Sequence, residues 1–387
     1  MITEIEIKEL IAKLAFLEDG ISDILILTGY PFQVIVYGKV KRVFLPEYPI
    51  EKLSPFHTEV IAFNMLKDKP HLFKKLIKDG YADFSFFLDD KTRFRVNVFS
   101  RQKTYNIIMR KLESKVKSIE ELKLPKVFYE IAKEKYGIVL VTGATGQGKT
   151  TTLAAILHEI NKNEPVHIIT LEDPVEYLHY PIKAAINQRE LGTDFSSFAE
   201  GLRAALREAP HVILVGEIRD KETMDIALTA AETGHLVFST LHTIGASQTI
   251  NRIIGFYTTE EEQQIRFRLA ATLKWVIGQK LLPKVGGGRI AIFDILRNTL
   301  RTREIILKGE SEGKTFYDAM AQGGPYGMQT FDQDIISLFK KGLIEEDIAL
   351  YNAVRRDIVG RQIELIKKQK GLEEMDIHLE LGEKGVR

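Results

Sequence analysis

The sequence contains no cysteine among its 387 residues, which excludes disulfide bonds, iron–sulfur clusters and cysteine-ligated zinc. It also lacks an excess of either charge, because 54 basic residues are balanced by 53 acidic ones. Without a strong positive field, the chain is not expected to bind nucleic acid. No apolar run approaches the roughly 18 residues that span a bilayer, and the N-terminus is unlike a signal peptide. These absences predict a cytoplasmic protein with no transmembrane segment.

The apolar content is sufficient for more than one core. At 387 residues, 44% of them hydrophobic, the chain is long enough for two or three domains. The order of strand and helix signals favours the α/β class with a separate small domain at the N-terminus. The predicted segments are an α+β N-terminal domain (1–112), a charged linker (113–135), an α/β domain that becomes largely helical from about residue 245 (136–354), and a charged C-terminal helix or tail (355–387).

A hairpin is predicted in the N-terminal domain. Apolar residues alternate along 84–88 and again along 94–98, on either side of Asp89–Asp90. Because side chains alternate along a strand, Arg93 and Arg95 must share one face. Both guanidinium groups are therefore expected to point away from the core.

Strand and helix patterns alternate from residue 136, which predicts a mainly parallel sheet covered by helices. Predicted strands are Ile138–Thr142, His167–Glu172, Val212–Gly216, His235–Thr240 and Arg289–Ile295. Predicted helices are Thr151–Ile160, Phe198–Glu208 and Lys221–Thr233. Thr259 and Glu262 form a capping-box pattern, which predicts a long helical segment to about Leu282.

The most informative stretch is GATGQGKTT, which fills every fixed position of the P-loop pattern G-x-x-x-x-G-K-[ST]. Its glycines let backbone N–H groups surround phosphates, and the following helix directs its positive dipole end at them. Lys149 should reach the β- and γ-phosphates of ATP, and the Thr150 hydroxyl should hold Mg²⁺. The alternative is a glycine-rich turn without a ligand. The predicted nucleotide-binding residues are Gly143, Ala144, Thr145, Gly146, Gln147, Gly148, Lys149, Thr150 and Thr151.

Two apolar strands end in carboxylates. The strand at 212–216 runs into Glu217, the first candidate for the general base, although a strand-end carboxylate can also be a solvated terminus. The strand at 167–171 runs into Glu172, Asp173 and Glu176. Strands of a parallel sheet end at the edge where ligands bind, so these carboxylates are candidates for contacts to Mg²⁺-bound water. The alternative for them is an acidic loop stopped by proline.

A third cluster contains two histidines. His242 follows a strand-like run that carries Ser239 and Thr240, so it is better placed than His235 to contact a γ-phosphate. A lone histidine is more often a satisfied structural residue. No spacing of histidines here suggests a zinc site.

These segments resemble the motor ATPases of secretion systems and type IV pili. TLEDPVEY (170–177) is similar to the Asp box of that superfamily, VILVGEIRD (212–220) to its Walker B region, and AETGHLVFSTLHT (231–243) to its His box. The resemblance implies a PAS-like N-terminal domain and a RecA-like P-loop NTPase domain with a helical C-terminal portion. It also implies a homohexameric ring, with ATP at the domain interface, that acts on an inner-membrane pilus platform protein. The protein would then be peripheral at that membrane.

The resemblance assigns roles residue by residue. Glu217 would be the catalytic Walker B carboxylate, Glu176 the essential Asp-box glutamate and His242 the histidine near the nucleotide. The family also sends arginines from its N-terminal domain to the nucleotide, and FRVNVFSRQ around Arg95 is similar to that segment. Arg93, Arg95 and Arg110 are the matching candidates. Lys149 completes the catalytic set, while Thr150, and Glu172 through water, are the candidates for Mg²⁺.

The absence of cysteine favours the retraction branch, the PilT- and PilU-like twitching motility ATPases, because assembly ATPases usually carry a tetracysteine zinc module. QRE (188–190), GQKLLP (278–283) and YGMQTFDQ (326–333) are similar to the same branch. The SDLH signature of the branch appears here as Ser22–Leu25 without its histidine. YGMQTFDQ could also be a partner surface, for which the alternative is a buried helix start.

Retraction of a pilus by ATP hydrolysis is therefore the predicted function. Two alternatives stay open at this point. The first is a motor for pilus assembly, protein secretion or DNA uptake. The second is a PilU-like accessory subunit that binds nucleotide and regulates a paralogous motor ATPase.

Overall fold

The computed structural model describes residues 4–89, 92–112 and 115–383. Four parts of the predictions fall outside this range: residues 1–3 of the N-terminal domain, 90–91 at the hairpin turn, 113–114 of the linker and 384–387 of the tail. By its internal contacts the chain divides into two compact units, one formed by residues up to 123 with 157–216, the other by 124–156 with 217 onwards.

The strands are β1 (Ile21–Ile26), β2 (Phe32–Val36), β3 (Lys39–Val43), β4 (Tyr81–Phe87), β5 (Arg93–Arg101), β6 (Thr104–Lys111), β7 (Gly137–Thr142), β8 (His167–Glu172), β9 (Ala185–Glu190), β10 (Val212–Val215), β11 (Leu236–Leu241), β12 (Leu273–Pro283) and β13 (Arg289–Arg297). The helices are α1 (Glu4–Ala15), α2 (Pro55–Leu66), α3 (Pro70–Asp79), α4 (Val127–Ile131), α5 (Lys149–Asn163), α6 (Phe198–Ala205), α7 (Lys221–Glu232), α8 (Ala246–Ile254), α9 (Glu262–Thr272), α10 (Leu300–Lys308), α11 (Phe316–Gln322), α12 (Phe331–Lys340), α13 (Glu346–Asn352) and α14 (Arg356–Glu383).

The first unit contains an antiparallel sheet of order β3-β2-β1-β6-β5-β4. Its core includes the alternate residues Phe94, Val96 and Val98 of β5, each fully buried, so the predicted hairpin is confirmed. The same unit contains a parallel set in which β8 pairs with both β10 and β9. Strand β9 was not predicted, because the polar run AINQRE has no apolar periodicity.

In the second unit, β7 pairs in parallel with β11 and β12. Every residue of β7 and β11 is buried, as expected for parallel strands that helices cover. Thr142 at the end of β7 lies opposite Leu241 at the end of β11, so the segments that follow leave the sheet at the same edge.

The prediction of one long helix to about Leu282 is wrong. Helix α9 ends at Thr272, and the next eleven residues form β12, which is antiparallel to β13. The capping box is also absent, because the N-cap is Glu261 and its side chain makes no capping hydrogen bond. An apolar run buried on both sides, as β12 is, cannot be told from a helix by periodicity. The predicted helical portion from about residue 245 therefore includes two strands.

YGMQTFDQ forms the beginning of α12. Thr330 is the N-cap and makes a capping box with Gln333, while Phe331 and Asp332 are only 2% and 1% exposed. The Asp332 carboxylate accepts hydrogen bonds from the Val354 and Arg355 N–H groups. The second half of this motif is thus a buried helix start, whereas Tyr326 at its beginning is 58% exposed.

None of the described helices combines the length and the hydropathy that crossing a membrane requires.

Candidate active site

The P-loop connects β7 to α5, as the sequence predicts. Gly143 has a φ of +149° and Gly148 one of +82°, so both lie in the region that favours glycine. A Cβ atom on Gly143 would lie 2.4 Å from the backbone oxygen of Gln279. The close approach of β12 therefore explains why this position needs a residue without a side chain.

Lys149 begins α5 and is only 8% exposed. Its ammonium group donates to the backbone oxygens of Gly143, at 2.6 Å, and of Ala144, at 3.1 Å. The charge is thus held directly over the loop that the glycines form. Ammonium groups pair well with phosphate oxygens, and this one lies at the N-terminus of a helix that also attracts anions.

Gln279 supports the loop from β12. Its side chain is 2% exposed, accepts a hydrogen bond from the Thr152 hydroxyl at 2.8 Å and donates to the backbone oxygen of Gln147 at 2.8 Å. The Gln147 side chain in turn accepts from the Leu281 N–H at 2.6 Å, so it supports the loop from within. Sequence reasoning missed Gln279 as a functional residue, because β12 was predicted to be helical.

Replacing Gln279 with alanine is expected to lower the free energy of unfolding by about 1–3 kcal/mol, because buried partners in Thr152 and Gln147 lose their hydrogen bonds. ATP affinity should fall as well, since the loop loses its support. Thermal unfolding and titration with a fluorescent ATP analogue measure both effects. Gln263→Ala, on the exposed side of α9, is the matched control. Equal thermal stability and equal ATP affinity in the Gln279→Ala and Gln263→Ala variants would contradict the role of Gln279 in supporting the P-loop.

Glu217 and His242 meet at the edge where β7 and β11 end. The Glu217 side chain is 13% exposed, with one carboxylate oxygen 2.6 Å from an Arg219 nitrogen and the other 3.4 Å from His242 Nε2. The N–H of Ile218 donates to the backbone oxygen of Thr240, which fixes the segment after Glu217 against β11. The structure thus brings together the predicted general base and a residue predicted to contact the nucleotide. The other histidine, His235, bonds to Ala230 within its own turn.

Glu172 lies at the end of β8 and is 7% exposed. Its carboxylate accepts hydrogen bonds from the Thr170 hydroxyl, at 2.7 Å, and from Gln188 Nε2, at 3.1 Å. Burial raises the pKa of the Glu172 carboxyl, and these two hydrogen bonds oppose that shift. Both hydrogen bonds go to the same oxygen, Oε1, so they fix the orientation of the Glu172 carboxylate at the end of β8.

The three predicted arginines lie in two different environments, because Arg95 and Arg110 are exposed and Arg93 is buried. Arg95 and Arg110 are cross-strand partners, and they line a depression of about 170 Å³ together with Asp23, to which Arg110 donates at 2.9 Å. Arg93 shares with Arg95 the face opposite the core residue Phe94, as strand alternation predicts, but it is only 4% exposed whereas Arg95 is exposed. Burial lowers the pKa of Arg93, and the nearby carboxylates of Glu190, Glu172 and Glu176 oppose that shift.

Oxygen donors are the ligands that Mg²⁺ prefers, and the chain offers the half-buried Thr150 hydroxyl in the first turn of α5. Among the described residues, no group of three or more histidine, aspartate or glutamate side chains is arranged to hold a metal ion by itself. A magnesium ion would thus depend on phosphate oxygens and water for most of its ligands, as is usual at nucleotide sites. The residues present fit that arrangement.

The chain is similar to several known proteins. A family model described as type II/IV secretion system protein matches residues 59–287. The type IV pilus retractation ATPase PilT of Pseudomonas aeruginosa is 42% identical over 347 residues, 89% of this chain and 97% of that protein. A twitching motility protein of Neisseria gonorrhoeae is 44% identical over 315 residues, 81% of this chain and 82% of that protein. The crystal structure of the pilus retraction motor PilT with bound ADP has a TM-score of 0.81 at 39% identity, covering 92% of this chain and 98% of that one.

The structural match confirms the predicted fold class, a PAS-like α+β N-terminal domain followed by a RecA-like domain. The similarity extends over most of both chains, so it includes the P-loop and the segments that carry Glu172, Glu217 and His242.

Proposed function

Since this chain belongs to the family of type II/IV secretion system proteins, an ATPase family, we propose that it hydrolyses ATP to power the retraction of type IV pili. The observation that carries the proposal is the arrangement at one sheet edge. There the P-loop with Lys149 follows β7, and the Glu217–His242 pair lies where β11 ends. A phosphate-binding loop and a side chain that orients the attacking water are two of the recurring parts of P-loop NTPases.

The P-loop would bind the phosphates of ATP through the N–H groups of residues 143–151 and through the Lys149 ammonium. Lys149 would exchange its bonds to the Gly143 and Ala144 oxygens for bonds to the β- and γ-phosphates. The Thr150 hydroxyl, and Glu172 through water, would hold Mg²⁺. The ion neutralises the developing negative charge on the phosphates when it is bound.

Glu217 would orient the attacking water and take its proton as the bond from the γ-phosphorus to the β–γ bridging oxygen breaks, leaving ADP and inorganic phosphate. His242, 3.4 Å from Glu217, would hold that carboxylate and contact the γ-phosphate. Glu176 would assist from the loop after β8. Aligning water and base before the reaction lowers the barrier chiefly by positioning and electrostatics.

Arginines of the N-terminal domain would neutralise phosphate charge as the domains close. Arg95 and Arg110 are exposed and adjacent, whereas Arg93 would have to leave its buried position near Glu172 and Glu176. Hydrolysis would release that closure, and the domain movement would transmit force. The assembly would be a homohexameric ring in the cytoplasm, peripheral at the inner membrane through the pilus platform protein. A paralogous motor ATPase is a further candidate partner.

The test combines phosphate release with the mass of the protein in solution, each measured with and without Mg²⁺-ATP. A six-subunit species that releases phosphate is expected, and expression in a strain without its own retraction ATPase should restore twitching. Nucleotide binding without turnover would instead favour the accessory-subunit alternative. Restoration of pilus assembly, but not of twitching, in the corresponding deletion strains would favour an assembly motor.

A further inference from the structure

Strand β9 places two polar side chains, Gln188 and Glu190, two residues apart and therefore on one face. They lie next to the loop that carries Glu176, which extends from the end of β8 to about His179. Neither residue contacts the P-loop in any described hydrogen bond, and the proposed mechanism uses neither. Their hydrogen bonds nevertheless go to this loop.

Gln188 makes two hydrogen bonds to the loop and a third to Glu172, the last residue of β8. Its amide nitrogen donates to the Tyr177 backbone oxygen at 2.8 Å and to the Glu172 carboxylate at 3.1 Å. Its amide oxygen accepts from the His179 N–H at 2.8 Å. The amide therefore uses both its donor and its acceptor functions on one loop, and it fixes the orientation of the Glu172 carboxylate at the same time.

Glu190 links the same loop to the N-terminal domain. One carboxylate oxygen accepts from the Ser85 N–H at 3.1 Å. The other accepts from the Ser85 hydroxyl at 2.5 Å and from the Val175 N–H at 3.3 Å. The residue is 8% exposed, and the cations of Lys69 and Arg93 lie close enough to interact with its charge.

These contacts hold the residues on either side of Glu176. The residue before it, Val175, is bound through its N–H to Glu190, and the residue after it, Tyr177, is bound through its carbonyl group to Gln188. The loop between them belongs to no helix or strand, so side-chain contacts must define its path. A buried carboxylate becomes less stable when it loses a hydrogen-bond donor. Because Ser85 and Val175 both donate to the Glu190 carboxylate, loss of one contact weakens the other.

We propose that Gln188 and Glu190 are positioning residues that hold Glu172 and Glu176 for hydrolysis, and that Glu190 makes this placement depend on Ser85 of the N-terminal domain. The role rests on the proposed function, since it concerns the same reaction. Glu190 thereby links its contact with Ser85 of the N-terminal domain to the order of the loop that carries Glu176.

The first experiment compares Glu190→Gln and Gln188→Ala with wild type by steady-state ATP hydrolysis. Each Glu190 oxygen accepts from a backbone N–H, so glutamine at 190 places its N–H₂ group against the N–H of either Ser85 or Val175. We expect kcat to fall by about 10- to 100-fold with little change in KM, because misplacing a catalytic group affects the chemical step. Asp334→Asn is the matched control, since Asp334 is a half-buried carboxylate that accepts from the Phe293 N–H elsewhere in the protein. A rise in KM at constant kcat, or an equal loss of kcat in the control, would overturn the role.

Ser85 tests the coupling to the N-terminal domain. Ser85→Ala removes only the hydroxyl donor, so kcat should fall by less, about 3- to 10-fold. Ser85→Thr keeps the hydroxyl and should restore activity. In the Glu190→Gln background, Ser85→Ala should have little further effect, because the two residues act as one unit. Additive losses, or the same kcat in Ser85→Ala and wild type, would show that the coupling does not exist.

Hydrogen exchange of the backbone amides at 175 and 179 separates this inference from the proposed function. Both should exchange faster in Glu190→Gln and Gln188→Ala than in wild type and Asp334→Asn, whether or not the protein hydrolyses ATP. A wild-type protein without turnover would contradict the proposed function alone. Unchanged exchange in the two variants would contradict the positioning role alone.

Discussion

Glu217→Gln is expected to lower kcat for ATP hydrolysis by about 10²- to 10⁴-fold, the range that a general base contributes. Glutamine keeps the shape and an acceptor oxygen for Arg219, but it cannot take a proton from water. ATP affinity should therefore change little. Phosphate release under saturating Mg²⁺-ATP, together with a binding titration, measures the two quantities separately.

Glu232→Gln is a suitable control for this variant. Glu232 is also paired with an arginine, Arg268, but it lies at the end of α7 and has no predicted catalytic role. Its replacement should leave kcat nearly unchanged. If Glu217→Gln hydrolysed ATP as fast as wild type, another residue would have to be the base, and Glu176 would be the next candidate.

Lys149→Ala is expected to weaken ATP binding by about 10²-fold, because the phosphates lose charge-assisted hydrogen bonds that are worth roughly 1.5–3 kcal/mol. The same substitution frees the backbone oxygens of Gly143 and Ala144, so the loop should also become less ordered. Titration with a fluorescent ATP analogue measures the affinity. Hydrolysis should then be low at every attainable ATP concentration.

Lys162→Ala tests whether loss of charge alone explains that result. Lys162 is exposed in the last turn of the same helix, α5, far along the axis from the P-loop. Its replacement should leave ATP affinity within about twofold, because a solvated charge several turns away is screened. Equal affinities in the two lysine variants would mean that the P-loop is not the binding site for phosphate.

The local patterns in the sequence were sufficient for the P-loop and its two flanking elements. A buried strand, a glycine-rich turn and a helix are each specified by neighbours in the chain, and β7 and α5 begin within two residues of the predicted positions. The strand ends that carry Glu172 and Glu217 were likewise predictable, since apolar runs that stop at a carboxylate are visible in the sequence. Glu217 and His242 were each predicted from the sequence as site residues, and the structure adds the 3.4 Å contact between them.

Other features depended on partners distant in the chain. Residues 273–283 have an apolar pattern that suits a buried helix or a buried strand, and pairing with both β7 and β13 decided for the strand. Arg93 differs from Arg95 in burial although strand alternation treats them alike, because only Arg93 lies among the carboxylates of 172–190. Gln279 likewise gained its role by packing against a loop more than 120 residues earlier in the chain.

The sequence by itself determined the chemistry of this protein: a phosphate-binding loop, a lysine, a hydroxyl and carboxylates at strand ends, in an order that resembles pilus motor ATPases. Each of these depends on residue type and short spacing, which a sequence displays directly. The tertiary structure decided how those groups are held, through Gln279 behind the P-loop and Gln188 and Glu190 behind the Glu176 loop. The physical reason is that a buried polar side chain must find hydrogen-bond partners, and folding alone determines which partners come within 3 Å or so of it.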